Sequence, residues 1–221
     1  HLPPPIFGVE QGVDGQHRCA RAHGRRSILT SVTALVESAL ASALPADVVV
    51  LNPPRAGVAV LAASFYTRPS GGELLSLHQL MSRSDTVDIA FMRHSPDGGR
   101  TWSAAVEIPT LEHRPGGKLR RALRGGVADP RTGRFVRFHI EGLLPNDDPL
   151  EGMRQWYVCY SASPDGGRTW PASGRVIQDG PEFTEQHPLP GVWIGKNCVM
   201  VGDLASVPVF LRDGTLLVPV I

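Results

Sequence analysis

The sequence predicts an all-β protein assembled from a repeated sheet unit, and three observations lead to this prediction. The octapeptide Ser-Pro-Asp-Gly-Gly-Arg-Thr-Trp at 95–102 recurs letter for letter at 163–170, an offset of 68 residues. A period of that order indicates a repeated supersecondary unit. Short runs rich in β-branched and aromatic residues flank both copies. The 24 glycines and 20 prolines suit a chain with many turns.

Each octapeptide is predicted to form a hairpin turn between two strands. Proline presets its φ, aspartate accepts bonds from backbone amides ahead of it, and glycine adopts positive φ at little cost. The runs before the two copies and the runs after them are predicted strands, at 88–93, 156–160, 102–108 and 170–176. The tryptophan that ends each octapeptide is expected to fold back as an apolar anchor.

Further strands complete each unit. The run 58–66 predicts a first strand, 72–77 and 133–138 predict the strand before each turn unit, and 213–220 has the same pattern. Tyr66, Tyr157 and Tyr160 lie in predicted strands and are expected in the core.

The pattern Ser-x-Asp-x-Gly-x-Thr-Trp resembles the Asp-box (bacterial neuraminidase repeat) of sialidase-like β-propellers. The resemblance implies a six-bladed propeller with four-stranded blades. It places the box between the third and fourth strands of a blade, away from the active face. The box also occurs in propellers that are not sialidases. The matching residues, all expected to be structural, are Ser95, Asp97, Gly99, Trp102, Ser163, Asp165, Gly167 and Trp170.

The resemblance also predicts how the chain is divided. A propeller is expected over 51–221, with blade 1 at about 56–109, blade 2 at about 119–177 and the start of blade 3 at about 197–221. Six blades of that size need roughly 400 residues. The sequence is therefore expected to hold about two and a half blades of a longer protein.

The composition bears on partners and cofactors. A formal net charge of +1 with 19% charged residues gives no reason to expect nucleic acid. Cys19, Cys159 and Cys198 form neither a zinc pattern nor a disulfide framework. Cys159 is expected to be a buried small side chain, with a Cys159–Cys198 bridge as the alternative. We expect no cofactor and no metal.

Residues 1–50 lack the β pattern. Arg25 and Arg26 precede an apolar run that ends in small residues, and 25–46 resembles a twin-arginine export signal. Against this, Glu37 interrupts the apolar run; the alternative is an amphipathic helix capping the propeller. The signal would make the protein secreted or periplasmic. The run is too short and interrupted for a transmembrane segment, and the oligomeric state stays open.

Because neighbouring strands run in opposite directions, alternate loops lie on the same face of the propeller. The loops predicted to share the candidate active face are 80–87 and 141–154, together with the blade entries 110–124 and 178–199. Sialidases bind the sugar carboxylate with arginines and use an aspartate as general acid/base, with a tyrosine nucleophile. Asp85, ten residues before Ser95, occupies the position of the acid/base. The alternative is that Asp85 only caps its loop. The substrate-binding residues expected on this face are Arg83, Arg121, Glu141 and His187.

Departures from the family weaken the functional assignment. The sequence lacks the Phe-Arg-Ile-Pro motif that supplies the family's first carboxylate-binding arginine. Arg83, in the neighbouring loop, is the candidate to replace that arginine.

One of Arg120, Arg121 and Arg124 is expected to point into the channel. The loop 146–152 is a candidate for substrate hydroxyls or Ca²⁺. Trp193 is expected either to stack on a sugar or to plug the interface between blades.

These features predict an exo-sialidase-like glycoside hydrolase that acts on terminal sugars of glycans. The resemblance places the nucleophile in later blades, so residues 1–221 alone are expected to be inactive. Two alternatives stay open: a non-catalytic propeller that binds glycan or protein, and a propeller hydrolase or lyase of other sugar specificity.

Overall fold

A computed structural model describes residues 55–68, 71–152, 154–204 and 207–221, all of which belong to one compact unit. The segment 1–50, with its predicted export signal at 25–46, lies outside the described residues. Within the described part of the chain, no helix is long and apolar enough to span a membrane.

The regular secondary structure of the described residues is almost entirely antiparallel sheet. The first sheet has the order β1-β2-β3-β4, the second β5-β6-β7-β8-β9, and a two-stranded sheet follows. The strands are β1 (Ala59–Tyr66), β2 (Leu74–Met81), β3 (Ile89–Ser95), β4 (Val106–Ile108), β5 (Leu111–Arg114), β6 (Gly117–Ala128), β7 (Phe135–Leu144), β8 (Tyr157–Ser163), β9 (Ala172–Arg175), β10 (Val209–Phe210) and β11 (Leu216–Leu217). The described residues also form a short helix, α1 (Pro149–Gly152). The all-β prediction is confirmed, and successive meanders are the architecture of a partial β-propeller.

Strand β5 was not predicted, because the sequence suggested a loop over 110–124. The chain reverses at Gly116 and Gly117, with φ of 88° and 150°, and β5 then pairs with β6. A Cβ at Gly117 would lie 2.5 Å from the Leu144 carbonyl oxygen. Only glycine fits this close approach, so the turn adds an edge strand to the second sheet.

The two octapeptides adopt the same turn. In the first, Ser95 Oγ accepts from Gly99 N at 2.7 Å, and Asp97 Oδ1 accepts from Thr101 N at 2.8 Å. In the second, Ser163 Oγ and Asp165 Oδ1 accept equivalent bonds at 2.7 and 2.8 Å. The turns join β3 to β4 and β8 to β9. Identical turn chemistry therefore gives identical local structure.

The two sheets pack face to face through a shared core. Phe135 of β7 is fully buried, and its ring meets those of Phe65 and Trp170 edge to face at 5.8 and 6.2 Å between centroids. Gln79 of β2, also fully buried, accepts from Leu123 N at 2.8 Å and donates to Leu123 O at 3.1 Å. Apolar contact and a two-way amide bond thus join the sheets.

Two expectations about side chains have clear outcomes. Tyr66 is 62% exposed at the end of β1, so its assignment to the core was wrong. Cys159 is buried and Cys198 partly buried, and no disulfide joins them, so the alternative bridge does not form. Burial raises the pKa of the Cys159 thiol to about 11.

Phe135→Ala is expected to lower the free energy of unfolding by about 3–5 kcal/mol, because it leaves a cavity between two tightly packed sheets. The measurement is guanidinium-induced unfolding. Phe183→Ala is the control: this ring lies in the 178–198 loop beside His187, where less apolar contact is lost. Equal losses for the two variants would contradict the placement of Phe135 at the centre of the core.

Candidate functional site

The largest described cavity that contains a predicted site residue lies where β1, β6, the loop 82–88 and the segment 200–203 meet. We call it the Asp85 cavity; its volume is about 740 Å³. Its ionisable lining residues in the described chain are Arg83, Asp85, Arg124 and Asp203. Two carboxylates and two guanidinium groups thus share one concave surface.

Asp85 lies at the tip of the loop between β2 and β3. Its φ is 55°, a left-handed conformation that aspartate tolerates better than most residues. Its side chain is exposed and accepts a bond from Ser84 Oγ at 2.8 Å. Asp88, not Asp85, closes the loop, since its Oδ2 accepts from Ser82 N at 2.6 Å. The Asp85 carboxylate is therefore presented to the cavity.

Arg124 of β6 is the buried cation of the cavity, with its side chain 16% exposed. Its Nη1 lies 3.6 Å from Asp203 Oδ1, while its buried Nε has no hydrogen-bond partner in the structure. Burial lowers the pKa of Arg124, and the charges of Asp203 and Asp85 offset part of that effect. A buried donor without an acceptor is costly, and an anionic ligand oxygen would satisfy it.

The three arginines of β6 have different surroundings. Arg124 lines the Asp85 cavity, while Arg120 Nε pairs with Asp147 Oδ1 at 2.7 Å. Arg121 points to the opposite face of the sheet, where its Nε pairs with Glu141 Oε2 at 2.7 Å. Arg124 thus lines a cavity while the other two form ion pairs, and the expectation that one of the three points into the channel stays a prediction.

The structure does not bring all the predicted site residues together. Arg83 and Asp85 line one cavity. Arg121 and Glu141 line a separate cleft of about 440 Å³ between the two sheets. His187 lines neither of them: its ring stacks on Trp193 at 3.9 Å between centroids, and its Nδ1 lies 3.2 Å from Glu182 O. This stack orders Trp193, which is 48% exposed.

The loop 146–152 is bonded internally instead of offering open oxygens. Glu151 accepts from the backbone and side-chain nitrogens of Asn146 at 2.9 and 2.6 Å, and Asp147 is paired with cations. Within the described residues, no cluster of three or more His, Cys, Asp or Glu side chains could hold a metal ion.

Sequence reasoning named Arg124 only as one of three candidates for the channel, and it assigned no role to Asp203. Because successive side chains of a strand point to opposite faces, Arg121 is expected on the other face of β6 from Arg120 and Arg124. The sequence does not say which side chains meet the first sheet. Asp203 follows a glycine in an irregular segment, where no periodicity gives its direction.

Comparison with models of known protein families finds no match, and comparison with curated proteins finds none either. Among solved structures, the chain is similar to one described as the Hadza microbial sialidase Hz136, with 16% identity and a TM-score of 0.47. The match covers 72% of this chain and 31% of that chain. A likeness this weak carries no argument, and the fold assignment depends on the sheets and turns described above.

Proposed function

We propose that the protein is a sialidase-like glycoside hydrolase that acts on terminal acidic sugars of glycans. One observation carries the proposal: a single cavity presents the exposed Asp85 carboxylate beside the buried Arg124, whose Nε lacks a partner. A general acid/base and an anion-binding guanidinium are the two groups that cleavage of an acidic glycoside needs near each other.

In this proposal Asp85 acts first as an acid. It donates its proton to the glycosidic oxygen as the bond from that oxygen to the anomeric carbon breaks, so the aglycone leaves as a neutral alcohol. The nucleophile bonds to the anomeric carbon in the same step. The Asp85 carboxylate then takes a proton from the incoming water, whose oxygen bonds to the anomeric carbon as the bond to the nucleophile breaks. Arg124 binds the sugar carboxylate through its planar guanidinium, and Asp203 is the counterion that this carboxylate displaces.

The proposal also covers the substrate, the source of the nucleophile and the location of the protein. The substrate is a glycan, the nucleophile is supplied from outside residues 1–221, and the protein is secreted or periplasmic. The Asp-box residues hold the blades together and take no part in the reaction.

The apolar wall that β1 contributes to the Asp85 cavity favours a second function. Ala59 and Leu61 are its lining residues there, so this strand supplies no charged group for a sugar carboxylate. A propeller that binds glycan without cleaving it, or one that cleaves a different sugar, suits such a wall.

The test uses the product of the whole reading frame that encodes this chain, with residues 1–221 alone as a second sample. A panel of fluorogenic glycosides, led by the 4-methylumbelliferyl glycoside of sialic acid, is assayed together with calorimetric binding of sialyllactose. We expect the whole product to cleave the sialoside and residues 1–221 to be inactive. Binding without cleavage would replace the hydrolase with the glycan-binding propeller, and cleavage of neutral glycosides alone would reject the acidic sugar.

A further inference from the structure

Asp147, in the loop between β7 and β8, pairs with three cations at once. Its carboxylate lies 3.0 Å from Arg83 Nη2 and 2.9 Å from Lys118 Nζ. Arg120 binds it through two nitrogens, at 2.7 and 2.9 Å. Arg83 lies in the loop between β2 and β3 of the first sheet, while Lys118 and Arg120 belong to β6 of the second. Asp147 is therefore the point at which the loops of the two sheets are joined.

These contacts fix the loop of Asp85 on both sides. Two residues before Asp85, Arg83 Nη2 also donates to the Asp147 carbonyl oxygen at 3.2 Å. Two residues after Asp85, the Val87 carbonyl oxygen accepts from Arg120 Nη1 at 3.3 Å. Asp147 and Arg120 together thus hold both flanks of a loop whose tip carries the proposed acid.

The pair at the centre of this cluster, Asp147 and Arg120, is largely buried. The side chains of Asp147 and Arg120 are 16% and 10% exposed, and the cations hold the pKa of Asp147 well below its usual range, with Arg120 contributing most through its hydrogen bonds. Asp147 therefore stays ionised across the pH range in which enzymes work. In such surroundings, removing the negative charge leaves neighbouring cations without their counterion, and the loop loses its anchor.

We propose that Asp147 is a positioning residue for Asp85. Through Arg83 and Arg120 it sets the direction in which the Asp85 carboxyl group meets the glycosidic oxygen. This inference rests on the proposed function, since it assigns no chemistry to Asp147 itself. Misplacing a catalytic group by about 1 Å costs on the order of 100-fold in rate.

The test is Asp147→Asn in the whole protein, assayed on two sialosides that differ in their leaving group. An aryl oxygen, as in the 4-methylumbelliferyl glycoside, departs with little help from an acid, whereas the oxygen of the methyl glycoside needs protonation. We expect kcat/KM on the methyl glycoside to fall by about 10–100-fold, and kcat/KM on the aryl glycoside to fall much less. Asparagine tolerates the φ of 56° at this position, so the variant tests the charge.

Asp148→Asn is the matched control, because it removes the same charge one residue later. Asp148 Oδ1 accepts from Leu150 N at 3.0 Å, a bond that an asparagine oxygen preserves, and both glycosides should be cleaved as by the original protein. If Asp147→Asn fails to fold by circular dichroism, Arg120→Lys decides the question. Lysine keeps the positive charge at this position, but its single nitrogen cannot reproduce the two-nitrogen contact with Asp147 and the separate bond to Val87 O.

The possible failures are distinguishable. If the original protein cleaves neither glycoside, the proposed function fails and this inference fails with it. If the original protein cleaves both and the folded variant loses activity on both equally, Asp147 has only a structural role. In that case the positioning role is rejected while the hydrolase assignment stands.

Discussion

Asp85→Asn is expected to lower kcat/KM on the methyl glycoside of sialic acid by about 10²–10⁴-fold, the range by which a positioned acid or base accelerates a reaction. The substitution keeps the size of the side chain and removes its ability to give and take a proton. On the 4-methylumbelliferyl glycoside the loss should be smaller, because protonation of an aryl oxygen contributes less. Steady-state kinetics on the two substrates measure the difference.

The backbone makes asparagine the informative replacement. Asparagine, like aspartate, tolerates the φ of 55° found at Asp85, so the loop keeps its shape. Asp88→Asn is the control, since an amide oxygen still accepts the bond from Ser82 N. If Asp85 only caps its loop, the two variants will behave alike on both substrates, and the acid must then be sought elsewhere.

The repeated sheet was predictable because its signal is local. A turn formed by serine, aspartate and glycine is stabilised by bonds within five residues, such as Gly99 N to Ser95 Oγ and Gly167 N to Ser163 Oγ. Such bonds depend little on the rest of the molecule. The same letters therefore give the same hairpin in both sheets, and the strands on either side follow from it.

The arrangement of the site was only partly predictable, because it depends on packing between distant segments. Arg121 and Glu141 are cross-strand neighbours in the register of β6 and β7, and they pair in the cleft between the two sheets. Charge alone suggested a substrate site for them. Asp147 lies 64 residues from Arg83 along the chain. Nothing in the sequence tells which of many cations an acidic loop residue will meet.

Arg124→Gln is expected to lower kcat/KM on sialosides by about 10²–10³-fold, since truncating one partner of a buried charge pair typically costs 2–5 kcal/mol. The sharper measurement compares each enzyme on a sialoside and on its carboxamide analogue, which lacks the negative charge. The original protein should strongly prefer the carboxylate, and the variant should discriminate little between the two. Loss of this preference, rather than loss of rate, identifies the group that binds the carboxylate.

The counterion of Arg124 makes the substitution tolerable for the fold. The Asp203 side chain is 76% exposed, so water solvates it when the guanidinium is removed, and no charge is left buried there. Arg121→Gln is the matched control on the same strand, because it removes a guanidinium from the cleft between the sheets and leaves the Asp85 cavity unchanged. If Arg121→Gln abolishes the preference and Arg124→Gln does not, the substrate carboxylate binds in the cleft, and the pair of Asp85 and Arg124 no longer defines the site.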